Sequence, residues 1–161
     1  MGWQKLDTET LSSGQIEISL TANKKFVQTL HHVTDFNSAS GNLRMRTDSD
    51  GGVKYADRAS IDGAADATTG SRTEIVIAQF GGGNYDYPIF DISYWVNISG
   101  EEKLGIIFTV GQYIAGAGTA PSRQETVAKS IITTTLSTID IRTATGDNQE
   151  AGTNGTSLGT D

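Results

Sequence analysis

The chain has 161 residues, which suits a single domain, and its net charge of −7 excludes the basic surface that nucleic acids require. It has no Cys, which excludes disulfides and thiolate chemistry, and no apolar run long enough to cross a membrane. Hydrophobic residues make up only 36% of the chain and Gly occurs 19 times, a composition typical of many short strands joined by turns. The N-terminus lacks the apolar region of a signal peptide, so we expect synthesis in the cytoplasm and no membrane partner.

Alternating apolar and polar residues predict strands along most of the chain, and no window carries apolar residues at helical spacing. In chain order the predicted strands are QIEISL, KFVQTLHHVTDF, NLRMRT, TEIVIAQF, YPIFDISYWVNI, KLGIIFTVGQYI, RQETVAKSIITT and STIDIRT. Turns rich in Gly, Asn and Asp separate them. The pattern predicts an all-β fold, an antiparallel, jelly-roll-like β-sandwich over residues 1–150, with 151–161 as a polar C-terminal tail or edge strand.

Two of these strands raise specific questions. In YPIFDISYWVNI, Ile92, Tyr94 and Val96 share one side, and Trp95 lies on the other. If the side of Trp95 is the outer one, Trp95 is an exposed apolar group that could form an interface; alternatively, both sides of this strand are buried. In KLGIIFTVGQYI, Gly105 suggests a β-bulge.

The stretch from Arg44 to Glu74 opens with Asp48 and Asp50, which resemble the start of a calcium loop. Counted from Asp48, the later ligand positions fall on Gly52 and Ala59, which offer no side-chain oxygen. A β-turn capped by its own Asp side chains is therefore the better interpretation, and we predict neither a metal nor a cofactor.

No catalytic constellation emerges from the sequence. His31 and His32 are adjacent on a predicted strand and point to opposite faces, so we expect one against the core and the other toward solvent. No G-x-S-x-G elbow occurs, and the Gly-rich runs lead into strands rather than helices, which argues against a phosphate loop. Glu101 and Glu102 are interpreted as solvated charges at a hairpin tip. We therefore predict that the chain is not an enzyme.

Contact residues are the remaining candidates. Exposed aromatic rings are common in interfaces, and the polar stretch mixes Arg side chains with Asp57, Asp62 and Asp66, which suits pairing between subunits. The interface candidates are Trp3, Arg58, Arg72, Tyr85, Tyr87 and Trp95.

The order of segments resembles a loose family of small β-rich virion structural proteins of tailed phages and environmental viruses. The residues that carry the resemblance are Trp3 and Leu6 in a first strand, Lys24-Lys25 before a long strand, Asp48 to Tyr55, and the turn and strand from Ala117 to Lys129. Its C-terminal segment is polar where the family ends on an apolar strand.

The resemblance implies a structural protein without catalytic residues. We expect a capsid decoration (cement) protein on the surface of a virion, forming a homo-oligomer, for which we expect a trimer. Its partners would be the major capsid protein or other virion proteins. Two alternatives stay open: a receptor-binding or tail-fibre tip module that recognises host glycan, and a subunit of an extracellular filament.

Overall fold

A computed structural model describes residues 2–36, 42–80, 88–112, 116–144 and 147–161. Over these residues the chain forms strands and turns and no helix. The strands are β1 (Gln4–Thr10), β2 (Glu17–Thr21), β3 (Phe26–Val33), β4 (Leu43–Thr47), β5 (Tyr55–Ile61), β6 (Ala67–Arg72), β7 (Ile75–Ala78), β8 (Ile89–Val96), β9 (Lys103–Gly111), β10 (Ser122–Ser130), β11 (Thr138–Thr143) and β12 (Asn154–Thr160).

The strands form two antiparallel sheets that enclose one core. The large sheet has eight strands in the order β1-β12-β3-β8-β9-β10-β5-β6, and the small sheet has four in the order β2-β11-β4-β7. This arrangement confirms the predicted all-β antiparallel sandwich. The jelly-roll assignment stays a prediction.

The core draws most of its apolar side chains from the small sheet. Alternation along its strands turns one residue of every two toward the large sheet. The buried set contains Ile18, Leu20, Leu43, Met45, Ile75, Ile77, Ile139 and Ile141. The large sheet contributes fewer apolar side chains, chiefly Val27, Val33, Ile89, Trp95 and Ile107.

Gly105 makes room for the indole ring of Trp95. The two residues are direct partners across β8 and β9, and a Cβ atom on Gly105 would lie 2.7 Å from the ring. The indole Nε1–H donates a hydrogen bond to Ser93 Oγ at 3.1 Å. The register of β9 is continuous through Gly105 on both sides, so the predicted bulge is wrong.

The polar stretch from Arg44 to Glu74 is ordered as strands. It supplies β4 to the small sheet, and β5 and β6 then form a hairpin at one edge of the large sheet. Asp48 and Ser49, in the turn between β4 and β5, both have a φ of 53°, a left-handed conformation that Asp tolerates better than most residues.

The C-terminal segment differs from the expected tail or edge strand. It forms β12, which has partners on both sides, β1 and β3. Its polar, Gly-rich sequence suits a place where the chain approaches its neighbours closely: a Cβ on Gly155 would lie 3.0 Å from Leu20, and one on Gly159 would lie 2.7 Å from Leu6. Small size rather than hydrophobicity places this strand inside the sheet.

Candidate functional site

The outer side of the large sheet carries a set of large apolar side chains that face solvent. Each is between 41% and 57% exposed, and we call them together the apolar face: Phe26, Phe90, Tyr94, Leu104, Ile106, Phe108, Val110 and Val127. They lie on the neighbouring strands β3, β8, β9 and β10.

The strand register makes this face continuous. Tyr94 pairs with Ile106, which pairs in turn with Val127, so one apolar row crosses three strands. In the next row Phe108 lies directly beside Ile92, which is half-buried. Because directly paired residues on one side of a sheet have Cβ atoms about 5 Å apart, the side chains form a single surface.

In an ordinary half-buried strand the apolar side chains face inward and the polar ones outward, but β9 shows the reverse for many of its residues. Its outward side chains are Leu104, Ile106, Phe108 and Val110, whereas its inward positions include Lys103 and Thr109. In β8 the same inversion places Tyr94 outward and Asp91 and Ser93 inward. The outer side of β8 and β9 is therefore as apolar as an ordinary core face, although solvent reaches it.

Hydrogen bonds make the polar inner side stable. The hydroxyls of Thr29 and Ser93 lie 2.6 Å apart, and Thr109 Oγ1 donates to the backbone carbonyl of Ile77 at 2.6 Å. The Lys103 ammonium donates to the carbonyls of Ile98 and Glu101, and its burial lowers the pKa of that amine. These four inward polar side chains thus have partners, as burial requires.

Trp3 lies beside one end of the apolar face. Its ring is 49% exposed and borders a groove of about 450 Å³. Other walls of the groove are the side chains of Phe26, Tyr94, Val96, Leu104, Ile106 and Val127. The groove is an open, largely apolar depression in the outer surface.

Charged side chains border the face, and several are paired within the chain. Lys129 Nζ lies 3.0 Å from Glu102, Arg123 lies 3.3 Å from Glu125, and Lys24 Nζ lies 2.6 Å from Asp161. An apolar centre with a polar border is the usual anatomy of a protein–protein interface.

The predicted interface residues fall in different environments. Trp3 borders the apolar face, and Arg58 is exposed on the outer side of β5, where its Nε–H donates to Thr68 Oγ1 at 3.1 Å. Arg72 is half-buried with its Nε 3.2 Å from Asp57, so it forms an ion pair within the hairpin region. Tyr85 and Tyr87 lie outside the described residues.

Trp95 is not an interface residue. Only 2% of its surface is exposed, because its side of β8 faces the core over Gly105. The prediction that Trp95 forms an exposed contact is therefore wrong. Tyr94, its neighbour in sequence, is exposed, as is Phe90 of the same strand.

Asp48 and Asp50 both accept hydrogen bonds from backbone N–H groups. Asp48 Oδ1 accepts hydrogen bonds from the backbone N–H groups of Ser137 at 2.6 Å and Thr138 at 2.9 Å, and Asp50 Oδ1 accepts one from Gly52 at 2.7 Å. Asp50 therefore caps its own turn, as predicted, whereas Asp48 binds the distant start of β11 instead of its own turn. Across the described ranges, no group of three or more His, Asp or Glu side chains could hold a metal ion.

His31 lies in the core between the side chains of Asp91 and Gln149. Its Nδ1 is 2.7 Å from Asp91 Oδ2, and its Nε2 is 2.8 Å from Gln149 Oε1. The amide nitrogen of Gln149 donates to the carbonyl of Ile141 at 3.0 Å, which leaves its oxygen to accept from His31. His32 points to the other side of β3 and is half-buried.

No protein-family model matches the chain, and no curated protein matches it. Among solved structures, a crystal structure of the infectious bursal disease virus VP2 subviral particle aligns with 98% of this chain at 12% identity and a TM-score of 0.11. The chain spans 37% of the length of that protein. A TM-score this low does not establish a common fold. The part of the chain that the structure describes contains no helix able to cross a membrane.

Proposed function

We propose that the chain is a non-enzymatic virion structural protein, a capsid decoration protein that binds the shell as a symmetric oligomer. The observation that carries the proposal is the apolar face. The sequence resemblance to small β-rich virion proteins supports the viral setting.

The size of the face favours a role in contact. Its eight side chains are 41% to 57% exposed, and at roughly 150 Å² for a fully exposed large side chain they leave on the order of 500 Å² of apolar surface. Patches of this size are near the upper limit for soluble monomers and commonly mark interaction sites. We therefore expect another molecule to cover this face when the protein performs its function.

The environment of His31 supports a structural role rather than catalysis. A general base needs a free nitrogen within reach of a nucleophile or water. Both ring nitrogens of His31 are occupied, one by Asp91 and the other by Gln149, and the ring is 1% exposed. We therefore interpret this residue as part of a buried polar network.

A receptor-binding module is the second candidate, and the groove beside Trp3 favours it. Exposed rings of Trp3, Phe26 and Tyr94 border one depression, and aromatic rings stack against the apolar faces of sugars. Gln28 Nε2 donates to the Tyr94 hydroxyl at 3.2 Å, which orients this polar group at the surface.

Copy number per particle tests the proposal. We would quantify the chain against the major capsid protein by mass spectrometry of purified virions. A simple ratio to the capsid subunits supports a decoration protein. A few copies per particle would favour the receptor-binding module, and absence from the particle would overturn both viral functions.

A further inference from the structure

The proposed function requires a symmetric oligomer, and the apolar face identifies the contact that forms it. Building on that function, we infer that the apolar face packs against the same face of a second copy of this chain, around a two-fold axis. The natural complement of a broad apolar sheet surface is another sheet, packed about 10 Å away.

The available area is enough for a specific dimer. The four strands that carry the apolar face, β3, β8, β9 and β10, adjoin one another in the large sheet, and β3 and β8 have eight residues each. Four strands spaced about 4.8 Å apart, with about 3.4 Å per residue, span roughly 19 by 27 Å, or about 500 Å². Two such faces would bury about 1,000 Å² in total, which is the lower end for a specific protein–protein interface.

The number of patches favours two-fold symmetry. A two-fold contact uses the same patch on both copies, whereas a cyclic trimer needs two different patches that fit each other. Among the described residues, the large exposed apolar side chains outside the apolar face and Trp3 are Ile16, Val53 and Ile131, which lie in connecting segments. The described surface therefore offers one patch, which suits a dimer rather than the expected trimer.

The charges around the face also permit a second copy. The chain carries a net charge of −7, yet the border has three cations paired with carboxylates of the same chain: Lys24 with Asp161, Arg123 with Glu125, and Lys129 with Glu102. Because these charges are already paired, two such faces approach with little repulsion. A strongly charged partner would meet no surface potential of opposite sign on this face.

The two ends of the face differ, and this difference sets the direction of the axis. The groove lies at the end of Val96 and Leu104, while Phe90 and Val110 form a row at the opposite end. We place the two-fold axis in the plane between the two sheets, perpendicular to the strands. This axis would bring the Phe90 end of one copy over the groove of the other. The same rotation would place the Arg123–Glu125 pair opposite the partner's Lys129–Glu102 pair, so that each cation meets two anions.

The molar mass of the protein in solution tests whether it forms a dimer. Light scattering of the full chain at micromolar concentration should give twice the 17.1 kDa of one copy. Ile106→Lys should reduce the mass to one copy, whereas Val53→Lys, which changes a 59% exposed residue away from the face, should leave the dimer intact. A monomeric or trimeric wild type, or a dimer that survives Ile106→Lys, would overturn the inference.

Cross-linking tests the axis without a disruptive substitution, because the chain has no Cys of its own. Mixed Leu104→Cys and Val110→Cys chains should be joined by a short bismaleimide, and neither variant alone should be joined to itself. Self-linking of Leu104→Cys without mixed linking would overturn the perpendicular axis. Both measurements use purified protein, so a dimer that is absent from virions would overturn the proposed function and leave this contact standing.

Discussion

Asp7 of β1 joins the large sheet to the free edge of the small sheet at Thr21. Its Oδ2 accepts hydrogen bonds from the backbone N–H of Thr21 at 3.1 Å and from the Thr21 hydroxyl at 3.0 Å. Glu9 accepts the N–H of Ser19 at 3.3 Å in the same way. Because β2 is an edge strand, these carboxylates occupy N–H groups that could otherwise pair with another chain.

Asp7→Ala should therefore lower the free energy of unfolding by about 1–2 kcal/mol, since hydrogen bonds to a charged group are lost. It should also increase aggregation on heating, measured by light scattering. Asp7→Asn keeps an acceptor oxygen and should lie between Asp7→Ala and the wild type. Equal aggregation of all three proteins would show that β2 needs no such protection.

The buried pair of His31 and Asp91 should be coupled. Removing either partner leaves a buried polar or charged group without its counterpart, which costs about 3–5 kcal/mol. His31→Gln and Asp91→Asn should each show a loss of this order in urea denaturation, and the double variant should lose less than the sum. His32→Gln, on the opposite side of β3, should change stability by less than about 0.5 kcal/mol. Additive losses would argue against a coupled pair.

Asp57 should make stability depend on pH. Burial raises the pKa of Asp57 above its ordinary value of 3.8, and this effect is partly offset by the N–H of Val76 and by Arg72. The folded chain therefore holds this proton more tightly than the unfolded chain does. The contribution of Asp57 to stability is largest below pH 3.8 and falls as pH rises through the raised pKa.

Asp57→Asn removes this titration. We compare the free energy of unfolding of the wild type with that of Asp57→Asn. The difference, wild type minus variant, should decline as pH rises from below 3.8 toward neutrality. The total decline should be about 1.4 kcal/mol for each unit by which folding raises the pKa of Asp57. Urea denaturation over a series of pH values measures the difference. Asp66→Asn, at an exposed position of the same hairpin region, is the matched control. A difference that grows with pH would contradict the sign.

Gly105→Ala should destabilise the fold, because the new methyl group would meet the buried indole of Trp95. Overpacking of a core by one methyl group typically costs about 1–3 kcal/mol. Gly70→Ala provides the control, since a Cβ on Gly70 has no heavy atom within 4 Å. Thermal unfolding of the two variants should separate them clearly. Equal melting temperatures would show that the sheet yields freely around Trp95.

The sequence predicts the strands whose alternation is strong and misses the weaker ones. QIEISL covers β2 except for its last residue, Thr21, and STIDIRT contains β11, both with a clear inward set of Ile or Leu. β6 has no such signal, because Ala67 to Arg72 is mostly small and polar. It forms where β5 offers backbone hydrogen bonds along its edge. This is a tertiary cause that no local pattern contains.

Alternation also cannot say which side of a strand is inward. It correctly separates Tyr94 from Trp95, but the more apolar set of β8 and β9 faces outward. Polar side chains can face inward here because their hydrogen-bond partners come from distant parts of the chain. Thr109 donates to the carbonyl of Ile77, and His31 is hydrogen-bonded to Gln149. Ile106 and Ile107 are adjacent and both strongly apolar, and this was the available signal that each side of β9 carries apolar side chains.

The opposite orientations of Ile106 and Ile107 test the central claim most directly. Ile106 is 47% exposed on the apolar face, and Ile107 is 0% exposed in the core. Urea denaturation of Ile106→Lys and Ile107→Lys should show a folded protein for the first and a loss of about 3–5 kcal/mol or more for the second, since only the second buries an unpaired charge. A folded Ile107→Lys together with an unfolded Ile106→Lys would show that the apolar set faces the core, and would contradict the contact surface described above.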